Sequence, residues 1–361
     1  MKGRLAKDIT KGVWDFLRTR FIRLLSKLPC KVSPLRGYTT SDQLKSTDGL
    51  SSLIRLCLDK NTRNSSYIAV IKHGRVLFDY GVVTTYQKWL LSDFSIVFGG
   101  QPKDHAALRQ IFLPYPQRFN GTLAVITSSG HQRYYHWLFD VIPRFILLQY
   151  SRVYYDAIVL NNELPFQHDT ISMLGINPSL LISPKPNTHL VADSLVIPSL
   201  PGSGMEPSAS TIHLLRRIFL ESTESEKNRR RIYISRNDAE TRRLMNEQRL
   251  LAYLTPLGFE VYYLSTLSMS EQVMLFAAAS LIVAPHGAGL ANLSFSMPEC
   301  CVIELMPETY VVDCFKVICD TLNIRYRRVM CQPVVPANNS HDMLVRIADF
   351  KQVLDEFIAI S

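Results

Sequence analysis

The sequence is poor in the signatures from which a reaction is most directly read. Its 361 residues hold no D-x-D pair to set a metal ion against a diphosphate and no G-x-x-x-x-G-K-[ST] phosphate loop. They hold no H-E-x-x-H zinc helix and no G-x-S-x-G nucleophile elbow, which disfavours metallopeptidase and α/β-hydrolase chemistry. G-x-G-x-x-G is missing too, which disfavours a dehydrogenase. Cysteine is sparse and odd in number, and the seven residues at 30, 57, 300, 301, 314, 319 and 331 make neither a C-x-x-C pair nor a disulfide framework. A reducing compartment with buried thiols is expected. No apolar run reaches the ~18 residues of a membrane span, and the longest, Val273 to Ala284, reads as a core strand. Excess charge is also lacking outside the N-terminus. Residues 1–36 carry ten basic and two acidic side chains, and the other 325 carry thirty against twenty-nine. The body is near neutral and gives a nucleic-acid partner no footing.

What is present begins with that basic tail. Trp14, Leu17, Phe21, Leu24 and Leu28 recur at three- and four-residue steps, with Arg18, Arg20, Arg23 and Lys27 mostly elsewhere on the wheel. The pattern predicts an amphipathic helix, either lying on an anionic membrane surface or docked on protein. Charges interrupt every candidate signal core, so a cleaved leader is not expected. Length predicts two domains of ~150 residues. The breakers Pro201, Gly202, Gly204 and Pro207 set the boundary, giving a tail (1–36), an N-terminal α/β domain (37–205) and a C-terminal domain (206–361).

In the N-terminal body, Tyr67–Ile71 and Val76–Tyr80 around His73-Gly74 predict a hairpin. A helix is expected from about Tyr134 to Gln149, and short strands at Ala157–Leu160, Leu180–Ile182 and Leu195–Ile197 predict parallel packing. The second half reads as strand and helix in alternation. Strands are expected at Arg231–Ser235, Phe259–Tyr263, Leu281–Ala284 and Cys301–Leu305. Helices are expected after Asn246, as an N-cap, and after the capping box Ser268–Glu271. This is a doubly wound α/β half, which places ligands at the carboxyl ends of its strands.

Three groups of residues could carry chemistry. His136, Asp140 and Arg144 recur at i, i+4 on an apolar helix and would form one polar stripe, either lining a cleft or serving as a structural Asp–Arg pair with a satisfied His. Pro143 is expected to kink that helix. Ser235 and Arg236 end a strand where a hydroxyl and a guanidinium fork could meet a diphosphate, with Arg229, Arg230, Arg231, Arg242 and Arg243 read mainly as solvated charge. His286-Gly287-Ala288-Gly289-Leu-Ala-Asn292 follows a buried strand and opens a helix, a backbone arrangement suited to an anion. Glu304, one strand later, is placed either to accept from ribose hydroxyls or to serve structurally.

Six pieces in this order, Tyr135-His-Trp-Leu-Phe-Asp140 with Pro143-Arg144, Ile232-Tyr-Ile-Ser-Arg236, Asn246-Glu247, Gly258-Phe259, Ser270-Glu-Gln272 and His286 to Asn292 through Glu304, resemble glycosyltransferase family 61 over roughly residues 120–310. The resemblance implies a GT-B fold, two Rossmann-like domains facing a cleft, and leaves the last helix free to pack back on the N-terminal domain. It implies inverting transfer of a hexosyl or pentosyl unit from a nucleotide sugar to a glycan or other hydroxyl acceptor. Neither an essential metal nor a resident cofactor is implied. Ser235, Arg236, His286, Gly287, Ala288, Gly289, Asn292 and Glu304 would bind the donor. Asp140, or else His136, would be the base from the N-terminal domain, with Asp140 favoured and His136 orienting. Arg144 and Arg133 would serve the acceptor or the structure; Arg133 stands where a small polar residue is expected. The lack of a membrane span points to a bacterial enzyme of surface polysaccharide synthesis, cytoplasmic and peripheral on the inner face of the membrane. The alternative is a non-catalytic nucleotide-sugar-binding protein of the same fold.

Overall fold

The computed structural model describes residues 34–44, 50–56, 66–200, 206–220, 230–334 and 341–358. The expected tail helix, the breakers at 201–205 and Arg229 lie outside them, apart from residues 34–36 of the tail segment. The chain is mixed α/β with two sheets. Its two compact units are Met1–His131 with Arg144–Asn161 and Asn177–Leu200, and Gln132–Pro143 with Asn162–Ile176 and Pro201–Ser361. The final cut falls near the expected boundary at 205, but two earlier stretches group with the second unit.

The first unit is built on a ten-stranded sheet. Its long strand His189–Pro198 pairs in parallel with Gln117–Val125, which pairs in parallel with Ala157–Val159, and that strand with Leu181–Ile182. The expected hairpin around His73-Gly74 does not form. Ser66–Lys72 and Arg75–Leu77 both run antiparallel to His189–Pro198, at successive stretches of it (Lys72↔Ser194, Arg75↔Val191). Two segments antiparallel to one strand point the same way, so His73-Gly74 is an offset within a continuing edge. His73 N–H donates to Asp193 O there at 2.9 Å.

The second unit holds a six-stranded sheet. Counted from Arg230–Ile234, through Phe259–Tyr262, Ala279–Pro285, Cys301–Pro307 and Arg325–Pro333 to Met343–Leu344, the spatial order is 2-1-3-4-5-6. All pairs are parallel except the last, antiparallel one. The central strands are near-continuous runs of branched side chains (Leu281-Ile-Val-Ala284, Val302-Ile-Glu-Leu305) because both faces are covered. The apolar run Val273–Ala284 is therefore not one strand. It ends the Met269–Ala278 helix and begins the Ala279–Pro285 strand with no loop between. The capping box is present: Ser268 Oγ accepts from Glu271 N–H at 3.3 Å and Glu271 Oε2 from Ser268 N–H at 2.7 Å. Asn246 does not cap with its side chain; it pairs with the backbone of Val345, donating at 2.8 Å and accepting at 3.1 Å. The last helix, Ile347–Ile358, packs Phe350, Leu354 and Phe357 into its own unit's core with Tyr233, Val283 and Ile303. Among the described residues, no helix is long and apolar enough to cross a membrane.

Candidate functional site

In an open parallel sheet, ligands bind where the strand order reverses, beyond the carboxyl ends of the two strands on either side. Here that point lies between Arg230–Ile234 and Ala279–Pro285, and the loops leaving them carry Ser235-Arg236 and His286-Gly287. The Arg236 guanidinium packs on Gly287, where an added Cβ would sit 2.0 Å from Nη1. It is this approach, and not the extended backbone, that favours glycine at 287. Arg236 Nη2 donates to Thr241 O at 2.9 Å, while its buried Nε has no partner among the described residues. Burial first, then neighbouring Arg242, pull the Arg236 pKa down to about 10. Arg242, expected as solvated charge, is partly buried. Its Nε donates to His286 O at 3.1 Å, its guanidinium lies 5.3 Å from the Tyr310 ring centroid, and burial lowers its pKa, with Arg133 adding to the effect. Its position was illegible because it depends on a backbone turn with φ +58° at a non-glycine residue.

Other expected donor contacts are turned inward. Ser235 Oγ donates to Glu247 Oε1 at 2.9 Å and accepts from Asn237 N–H at 3.2 Å. Glu247 also accepts from Tyr233 OH at 2.8 Å and from the Asn237 amide. It is a buried brace for the loop that presents Arg236; in the sequence it stood out only as part of the Asn246-Glu247 piece of the family resemblance, with no role attached. Asn292 is wholly buried, accepts from Tyr134 OH at 2.6 Å and donates to Gln272 Oε1 at 2.8 Å. Glu304 is wholly buried, with one oxygen 2.5 Å from His286 Nδ1 and the other accepting from Tyr326 OH. These occupied oxygens correct the ribose-binding expectation in favour of the structural alternative. Gly287, Ala288 and Gly289 lie where expected, but the segment Ala288–Phe295 is a 3-10 helix. The amides of Ala288 and Gly289 have no acceptor within it by geometry.

The helical stripe divides. His136 Nδ1 lies 2.7 Å from Asp140 Oδ2, both residues buried. Residues Trp137–Val141 between and around them form a π turn ahead of Pro143, which cannot donate to the preceding turn and crowds it. Widening rotates Arg144 off the stripe and into the first unit. There it is fully buried and donates to the carbonyls of Val125, Ile126, Thr127 and Pro198 at 2.7–3.1 Å. Arg144 thus clamps four backbone carbonyls, the structural one of its two expected roles.

The second unit brings the remaining groups together. Trp137 Nε1–H donates to Thr170 Oγ1 at 2.7 Å, fastening the 132–143 segment to the 162–176 segment. The Tyr135 ring lies 5.3 Å from His136 and 5.9 Å from Phe315, and Phe315 lies 5.0 Å from His286. His136–Asp140 therefore belongs to the same unit as Arg236 and His286, correcting the expectation that a base comes from the N-terminal domain. Arg133, exposed, lies on this segment near Arg242.

Residues 134–303 match the family model described as Glycosyltransferase 61. That stretch of the chain is similar to glycosyltransferase 61. The matched region opens at Tyr134, the residue tied to Asn292, and closes on the strand that carries Glu304. The match to glycosyltransferase 61 supports sugar transfer, with a nucleotide-sugar donor and a glycan acceptor as the implied partners. No curated protein matches the chain significantly.

Proposed function

We propose that this chain is a family 61 member and an inverting glycosyltransferase of GT-B architecture that moves a hexosyl or pentosyl unit from a nucleotide sugar to a glycan hydroxyl without a metal ion. The observation that carries the reading is the convergence of Arg236, Arg242 and His286 on the loops at the strand-order reversal. Inverting transfer needs a base for the incoming hydroxyl and compensation for charge growing on the leaving diphosphate. Two guanidiniums and the amides of Ala288 and Gly289 supply compensation of the kind a cation otherwise provides. The cationic residues and the doubly wound unit support metal independence and a GT-B assignment.

We assign the base to His136. Asp140 Oδ2, 2.7 Å from Nδ1, holds the ring in place, so in this reading Asp140 orients and His136 takes the proton from the acceptor hydroxyl. This reverses the preference drawn from sequence alone. Arg133 is the proposed contact to the acceptor. The excess of positive charge in residues 1–36 supports a peripheral place on an anionic, cytoplasmic membrane face, as in surface polysaccharide synthesis.

The test is a panel of nucleotide sugars given to the purified chain, with the product anomer read by NMR and EDTA in a parallel arm. Inversion and EDTA-resistant turnover are expected. Retention, or activity lost to EDTA and restored by manganese, overturns the mechanism. Arg236→Ala should cost about 2–4 kcal/mol in kcat/KM. An unchanged kcat/KM in that variant refutes the donor site.

A further inference from the structure

Behind Arg236 and Arg242 a chain of hydrogen bonds runs from His286 through buried Glu304 towards the surface. His286 Nδ1 meets Glu304 Oε1 at 2.5 Å, and the other Glu304 oxygen accepts from Tyr326 OH. The phenol oxygen accepts from Arg328 Nε at 3.1 Å, and Arg328 is held by Asp313 at 2.8 Å. A carboxylate wholly out of water is costly unless every oxygen is satisfied, and here both are. With Nδ1 committed to Glu304, Nε2 is the ring nitrogen left to meet a ligand, and it has no hydrogen-bond partner among the described residues.

We propose that His286 is a proton-accepting switch at the donor diphosphate: neutral in the empty site, imidazolium when a nucleoside diphosphate is bound, with Glu304 and Tyr326 as its positioning residues. The inference rests on the donor-site reading. Around the ring stand Arg236 and Arg242 from the loop after Arg230–Ile234, and Glu304 from the adjacent strand. Tyr310 and Phe315 come from the loop and helix that follow, with Cys314 beside Glu304 and Arg242, and Tyr326 comes from the next strand. Arg133 lies beyond Arg242. In the empty site burial, and then the two guanidiniums, hold the His286 pKa below its ordinary value, against the pull of Glu304. A diphosphate neutralises the guanidiniums and leaves Glu304 as the unmatched charge. The balance then reverses, and Nε2 takes a proton from solvent and donates it in a hydrogen bond to a phosphate oxygen.

In transfer the C–O bond to the diphosphate breaks with its electron pair going to the phosphate oxygen that His286 faces. The new C–O bond forms from the acceptor oxygen, whose proton goes to the base. No oxidant or further reactant is needed.

The experiment is calorimetric titration of the full chain with UDP, GDP or ADP at pH 7.5 in buffers of differing ionisation enthalpy. A terminal phosphate meeting arginines can only release a proton, so net uptake has the opposite sign to the ligand's own contribution. The wild type should take up about half to one proton per nucleotide, and affinity should weaken as pH rises from about 6 to 8. Glu304→Gln keeps an acceptor for Nδ1 but removes the charge, so uptake and the pH slope should vanish with the fold intact. His286→Asn should match it, and Tyr326→Phe should fall between. Binding without uptake in the wild type overturns the proposal alone, as does uptake unchanged in Glu304→Gln or His286→Asn. If none of the three nucleotides binds, the donor-site reading falls and this proposal with it.

Discussion

Two histidine–carboxylate pairs sit in the second unit, and they are made in opposite ways. His136–Asp140 is local, one i, i+4 step on a widened helical turn, and a change of helical register would break it. His286–Glu304 joins residues eighteen apart, one on the loop just past a strand and one on the neighbouring parallel strand, fixed by the Ala284↔Glu304 register and by Tyr326 behind the carboxylate. Their neighbours differ as well. The Tyr135 ring stands against His136, whereas two guanidiniums stand near His286. A histidine held by a carboxylate beside an aromatic wall suits an uncharged hydroxyl; one held among guanidiniums suits an anion. The same two residue types are given different tasks by what lies beyond them.

Substitutions can break that contrast. The largest effect is expected from His136→Ala, a loss of about 10²–10⁴ in kcat with nucleotide affinity kept. A matching fall in affinity, measured by calorimetry, would merge the two pairs into one site. Next is Arg144→Ala, which strips the donor from four buried carbonyls and should cost about 3 kcal/mol or more of stability in denaturant unfolding. A variant that unfolds normally but transfers no sugar would return Arg144 to the stripe with His136. Gly287→Ala is milder because the displaced group is the mobile end of Arg236. Nucleotide affinity should fall about tenfold, or 1.4 kcal/mol, with the melting temperature nearly kept. Equal affinities of mutant and wild type would show that Arg236 does not bind through this approach. Arg230→Ala removes an exposed pair with Glu260 and should change affinity less than about twofold. A larger effect would extend the anion site to the surface of the sheet.

The sequence made local features legible and left tertiary ones hidden. Strand runs such as Ile232-Tyr-Ile and Leu281-Ile-Val, the Ser268–Glu271 box and the His136–Asp140 pair each lie within a few residues and were readable from spacing. The fate of Arg144 was not, because a π turn ahead of Pro143 altered the helical phase. Glu304 was placed at the right strand end but given the wrong partner, since Tyr326 meets it only across a sheet register. Arg242 passed for surface charge because its burial depends on the His286 carbonyl, forty-four residues away. Nor did local periodicity indicate that residues 132–143 pack with the C-terminal sheet.

The chain passes between the two units five times, at 131/132, 143/144, 161/162, 176/177 and 200/201. The Tyr134 hydroxyl finds Asn292, a partner 158 residues further along. A ribosome moving at about 5–20 residues per second needs about 8–30 s to cover that distance. Through that interval the 132–143 segment has left the exit tunnel and its apolar face waits for a surface not yet synthesised. The order of synthesis makes this segment the stretch of the nascent chain that a chaperone would have to shield.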